Sequence, residues 1–232
     1  MSQGSEGYYS SRTPGDGANE TAEIRFIAQS LLNRLRTTIP VRVMAVTNAG
    51  GVSPIGRVDV LPLVQQIDGS GSVTSHGTIY DAPYMRIQGG GNAVILDPEV
   101  GDIGLLAVCD RDISAVKASG GEAPPGSRRH HDLSDCVYLH SILSAAPTQY
   151  IQFSGAGVTI HSPSAVTVTA PSVTVNASGS ATITVPTLQI NGNVSISGSM
   201  TAAGDVGGAG VSLHNHTHGG VQAGTDHTGT PN

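Results

Sequence analysis

Between Cys136 and Gly204 the chain carries no Asp, Glu, Lys or Arg. Soluble proteins scatter charge over about a quarter of their residues, so something selects against charge along this tract. A membrane-spanning helix is excluded, because the tract is filled with Thr, Ser, Asn and Gly and never reaches the ~18 consecutive apolar residues that a span requires. Tryptophan is absent, and only two Phe and six Tyr occur in 232 residues. One thick enzyme core would draw on more large side chains. Several thin β modules are expected instead.

Other shortages narrow the function classes. Net charge is −6, and Arg128-Arg129-His130-His131 is the one basic cluster. Phosphate binding needs clustered Lys and Arg, so no nucleic-acid partner is expected. The cluster follows a Gly/Pro-rich stretch and precedes Asp132, which reads as a solvated loop without chemistry. The two cysteines, Cys109 and Cys136, have no neighbour at metal-ligand spacing and are expected as buried thiols in a reducing compartment. The polar start, Met1 to Gly7, has no apolar h-region, so no secretory signal is expected.

Residues 1 to about 18 are rich in Gly, Ser and Tyr and read as an arm ordered only by a partner. Between Asn19 and Thr38, Ile24, Ile27, Leu31, Leu32 and Leu35 recur mostly at three- and four-residue steps, which predicts one amphipathic helix ended by Pro40. The period then changes. Val41/Val43/Ala45, Val58/Val60 with Leu61 to Val64, Tyr84/Met85/Ile87, Ala93 to Leu96 and Leu105 to Val108 predict short strands between Gly, Pro, Asn and Asp turns. Such spacing suggests a small Greek-key barrel of the oligonucleotide/oligosaccharide-binding (OB) type. Residues 117 to 134 form an inserted loop, and Pro147 marks the next boundary.

Beyond it, apolar pairs at period two recur: Val158/Ile160, Val166/Val168, Val173/Val175, Ile183/Val185, Leu188/Ile190 and Val194/Ile196. Pro163, Pro171, Pro186, Gly179, Gly192 and Gly198 fall in the gaps, giving a degenerate repeat of about seven residues. So short a strand offers two inward side chains, too few to offset the ~1–2 kcal/mol per residue of backbone ordering. A single-chain solenoid encloses a core with turns of about 20 residues or more. Three intertwined chains are therefore expected, a homotrimer in which strands pool around one axis. Around such an axis every charge meets its own copies, whereas Thr and Ser carry no such penalty.

The tract leads to Ser212-Leu213-His214-Asn215-His216-Thr217-His218-Gly219-Gly220. On an extended strand His216 and His218 present two imidazoles from one face, and three chains bring six nitrogens. Six imidazoles suit an octahedral ion better than tetrahedral zinc. Iron leads, with nickel, cobalt or zinc as substitutes, and His214 is expected outside the coordination sphere. Two other readings exist. Histidine-rich tails bind metal incidentally. The spacing from Gly208 to His214-Asn215-His216 resembles half a cupin motif, but no Glu follows Glu122 to complete it, and a hydrolytic site would need a nearby carboxylate base.

With these segments in view, the chain resembles the central spike, or membrane-piercing, proteins of contractile-tailed phages, specifically the baseplate assembly protein V type. The likeness rests on Pro40-Val41-Arg42-Val43 opening a barrel, Gly101 to Asp112 in its late strand, the uncharged repeats, and Ser212-Leu213 leading to His216-Thr217-His218-Gly219. It implies a mainly β protein: an N-terminal arm and helix (1–39), an OB-like barrel (40–146), a triple-stranded β-helix shaft (147–211) and a pointed apex (212–232).

The resemblance further implies that His216 and His218 of three subunits hold one iron, with calcium or chloride as further apex ions. The expected role is non-enzymatic: a spike at the baseplate tip of the virion, assembled in the host cytoplasm and driven through the host outer membrane. Its expected partners are the baseplate hub or tail tube proteins and a further tip protein. A trimeric tail-fibre or adhesin tip that binds a host receptor is the alternative; the N-terminal barrel and the short chain favour the spike.

Overall fold

A computed structural model describes residues 17, 19–32, 34–48, 51–67, 71–217, 219–220 and 224. The expected N-terminal arm, apart from Gly17, lies outside the described residues. The chain divides into two units, Met1–Val166 and Thr167–Asn232. It is mainly β, with a curled half-barrel sheet, and no described helix is long and apolar enough to cross a membrane.

Helix α1 spans Glu20–Leu32. Asn19 starts it by accepting the Ala22 N–H on Oδ1 at 2.9 Å, and Glu20 and Glu23 sit in the first turn, where the helix dipole favours acids. The helix ends well short of Pro40, contrary to the sequence expectation. Strand β1 already begins at Thr38, because the β-branched run Thr37-Thr38-Ile39 favours extended backbone. Pro40 lies inside β1, where its carbonyl accepts the Leu63 N–H at 3.0 Å.

The first unit continues with β2 (Arg57–Pro62), β3 (Gln66–Ile67), β4 (Val73–Thr74), β5 (Ile79–Pro83), β6 (Ile87–Gly89), β7 (Asn92–Val94), β8 (Ile103–Val108), α2 (Ser114–Ser119), β9 (Cys136–Ser141), β10 (Tyr150–Ser154) and β11 (Gly157–His161). Five strands form one antiparallel sheet in the order β5-β2-β1-β8-β9. Its two edges approach one another. Tyr84, just after β5, forms a parallel bridge to Tyr138 of β9, and the Met85 N–H donates to the Tyr138 carbonyl at 2.9 Å. Register shifts between Val43 and Ala45, Val58 and Val60, and Gly104 and Leu106 mark bulges, which add the local twist a tightly curled sheet needs.

Alternation decides what fills the curl. Val41 and Val43, Val58 and Val60, Ile79 and Ala82, Leu106, Cys136, Tyr138 and Tyr84 form the buried core. The residues between them face outward, as period two requires. The core is built from small aliphatics around two large rings, Tyr84 and Tyr138. Gly104 makes room for Tyr138, since a Cβ there would collide with its ring. Both cysteines are free thiols. Cys136 is buried, and desolvation pushes its thiol up to about 12; Cys109 is half-buried rather than buried.

Two polar latches close the unit. Arg86 and Asp97 pair at 2.6 Å with both side chains largely shielded from solvent. The Tyr84 hydroxyl donates to Asp97 at 2.9 Å, and Arg86 Nη1 donates to the Ser53 carbonyl at 2.7 Å. The second latch corrects the reading of Arg128 to His131 as a solvated loop. Arg129 pairs with buried Asp112 and buried Asp135, each at 3.0 Å. Asp112 is held well below the usual carboxylate range by the hydroxyls of Ser114 and Ser127, the Ser114 N–H and the Arg129 charge.

β10 and β11 form a hairpin in register Tyr150↔His161 to Ser154↔Gly157, and the Tyr150 and His161 rings stack at 5.2 Å. From Ser162 to Val206 the single chain makes no strand ladder. The apolar pairs expected to face inward are exposed there, from Val185 at 50% to Val175 at 76%.

Leu106→Ala should cost about 2–5 kcal/mol by opening a cavity at a fully buried position. Gly104→Ala should cost about 1–3 kcal/mol by overpacking against Tyr138. Urea unfolding followed at the curled sheet would read both as lowered midpoints; an unchanged midpoint in either would contradict this account of the core.

Candidate functional site

The sequence directs attention to the residues after the uncharged tract, and there the second unit regains hydrogen-bonded order. Strands β12 (Gly207–Gly208) and β13 (Val211–Ser212) pair as a hairpin, Gly207↔Ser212 and Gly208↔Val211. The two turn residues between them, Ala209 and Gly210, have φ of 52° and 83°. Two left-handed residues in succession match the right-handed twist of a hairpin. Glycine adopts that conformation freely, whereas Ala209 carries a Cβ into it.

Asp205 and Ser212 then fold the chain over. The Leu213 N–H donates to the Val206 carbonyl at 2.9 Å. The His214 N–H is shared between Asp205 Oδ1 and Ser212 Oγ, both at 3.2 Å, and the Asn215 N–H donates to Ser212 Oγ at 2.8 Å. These bonds explain a departure from the expected extended strand: β13 stops at Ser212 and residues 213–215 turn, because the Ser212 hydroxyl takes two amides that a strand would hold in a ladder. Asp205 is held below its ordinary range first by the Ser212 hydroxyl, then by the His214 amide.

The three histidines stand differently. His214 is placed through its backbone in the turn. His216 is fixed through its ring: Nδ1 lies 3.1 Å from the Ser212 carbonyl oxygen and 3.2 Å from that of Leu213. A carbonyl can only accept, so Nδ1 donates its proton to these oxygens. Metal-binding histidines are oriented in this way, with the second ring nitrogen donating to a backbone carbonyl. The donor chemistry of His216 thus fits a metal. His218 lies outside the described residues, as do Asp226 and His227. Among the described residues, one chain brings together no group of three or more metal-binding side chains.

Sequence reasoning noticed Asp205 as a spare carboxylate and Ser212 as a lead-in residue. It missed that the two anchor the turn. The available signal was the pairing of an acid with a serine across the Gly-Gly-Ala-Gly turn.

Because the folded Asp205 carboxyl is depressed, its support of the turn is present above the ordinary aspartate value of about 3.9 and lost as pH falls through the lower folded value. The His214 amide resonance should report this, titrating with a midpoint below that of free aspartate. Asp205→Ala should abolish the titration. A midpoint at the free value would show that the contact does not form.

Comparison with known families gives two matches. Residues 53–141 match the phage protein Gp138 N-terminal domain, from the loop ahead of β2 through β9. Residues 210–232 match the GpV apex motif, from the hairpin turn through all three tip histidines. No curated protein matches the chain. Both matched families are structural and associated with phage baseplates and spikes, so at its curled sheet and at its tip the chain is similar to phage central spike proteins.

Proposed function

We propose that this protein is a structural spike at the tip of a contractile phage tail, a homotrimer that pierces the host outer membrane without catalysing a reaction. The observation that carries the reading is the row of apolar pairs from Val158 to Ile196, half or more exposed in one chain and free of charge, running towards a segment that matches an apex motif. Exposed apolar surface on this scale marks an interaction site. Copies of the same chain around one axis supply the complementary surface at every repeat, and the absence of charge removes like-charge repulsion between them.

The parts follow from that reading. The sheet order β5-β2-β1-β8-β9, with its parallel contact between Tyr84 and Tyr138, supports an OB-type barrel as a collar. The match to a phage spike domain over 53–141 supports association with baseplate hub or tail tube proteins and a place in the virion tail. Below the collar, interchain strand pairing would distribute axial load over many hydrogen bonds at once. At the apex, His216 and His218 from each of three chains would hold one octahedral ion, with iron the candidate. Such an ion would tie three chain ends together so that the tip does not fray. With Nδ1 held by the two backbone carbonyls, Nε2 would be the ligating atom.

Light scattering on the purified chain should give a mass of three chains, and metal analysis about one iron per three chains. His216→Ala combined with His218→Ala should remove the metal and leave the trimer, because the shaft pairs do the burying. A metal-free monomer from the unaltered chain would sink the proposal. Wholesale unfolding of the double variant would show that the apex, not the shaft, holds the trimer.

A further inference from the structure

One apolar surface belongs neither to the shaft nor to the apex. β6 and β7 form a hairpin joined by Gly90 and Gly91, with Ile87 opposite Val94. Arg86 is buried between exposed Met85 and Ile87, while Val94, Ile95 and Leu96 are all exposed, Leu96 at 72%. Arg86 and Asp97 turn the other way, into the shielded ion pair at 2.6 Å. Arg86 also holds the Ser53 carbonyl, and the Asn48 side-chain amide donates to the Tyr84 hydroxyl at 2.7 Å. The arm is thus pinned at its root by buried polar contacts and presents an apolar face outward. From Ile87 to Leu96 it contains no charged residue.

We propose that this arm is a contact between subunits at the level of the curled sheet, its Met85/Ile87/Val94/Leu96 face packing on a second copy of this chain. The inference rests on the trimeric reading above and extends it from the shaft to the first unit. Two observations select a copy over an unrelated partner. Lack of charge is the same signature that the proposed shaft carries, so the face would bury no unpaired charge against a copy. The face is also small. Four apolar side chains fall short of the ~800 Å² per partner of a stable, separately formed complex. A surface of this size suffices when the shaft already holds the copies together at high effective concentration.

The test uses the full-length chain, purified alone, with Leu96→Cys and, separately, Val94→Cys. Maleimide modification at the new thiol is followed by peptide mapping, native against guanidinium-denatured, with light scattering on the same sample. Both positions are exposed among the described residues of one chain, so protection that accompanies a three-chain mass is read as cover by a copy. The expected result is a three-chain mass with native labelling at least about tenfold slower than denatured labelling at both positions. A three-chain mass with fast native labelling at both would overturn the arm contact and leave the trimer standing. A single-chain mass would overturn both.

Discussion

Apolar side chains that one chain leaves exposed are the constraint on which the tract from Val158 to Ile196 depends. Each repeat between Val158 and Ile196 presents a pair of β-branched or leucyl side chains and then turns away at a Pro or Gly. A strand so short encloses nothing, so the ordering cost of its backbone is offset only when other strands cover it. In one chain the cover is absent and the tract from Ser162 to Val206 forms no ladder. In the proposed trimer the same constraint would explain the composition: a surface that met its own copies would keep Thr, Ser and Asn and exclude charge.

The first unit solves the burial problem differently. Its strands are long enough to curl, and Val41, Val43, Val58, Val60 and Leu106 meet inside the curl. Charge is therefore permitted there and is used. Arg86 with Asp97 and Arg129 with Asp112 and Asp135 fasten loops to the sheet. A buried ion pair adds little net stability compared with apolar packing, but it is intolerant of misplacement. In this protein such pairs sit where loops must be held in one register: the root of the β6–β7 arm and the irregular segment between α2 and β9.

How much of this was legible depends on whether the signal is periodic. β1, β2 and β8 were visible through runs of Val, Leu and Ile in which alternate positions are buried, Val41 and Val43 in β1, Val58 and Val60 in β2, Gly104 and Leu106 in β8. β5 was not, since Ile79-Tyr80-Asp81-Ala82-Pro83 places a charge and a proline in a strand only five residues long. The end of α1 was misjudged because Leu35 continues the helical period, while the local preference of Thr37 and Thr38 for strand prevails. Arg129 was invisible for a different reason. Its partners, Asp112 and Asp135, lie on separate segments, and pairing across a fold leaves no trace in spacing. The apex shows both cases: the histidine motif is a linear signal and was read, whereas the turn at residues 213–215 depends on a serine hydroxyl whose competition with the ladder is decided only in three dimensions.

Asp205 marks where these two regimes meet. It is the first charged residue after the long neutral tract, and its charge is committed locally, to the Ser212 hydroxyl and the His214 amide. A carboxylate satisfied by its own chain makes fewer demands on its neighbours than a bare one, so in the proposed trimer the charge would stand close to the axis at lower cost. What it secures is the turn whose carbonyls, at Ser212 and Leu213, hold the His216 ring. The charge excluded from the neutral tract is thus readmitted where it fixes the backbone beneath a candidate ligand. In the proposed trimer that backbone would recur three times about the axis, each copy setting the angle of its own imidazole before any metal arrives.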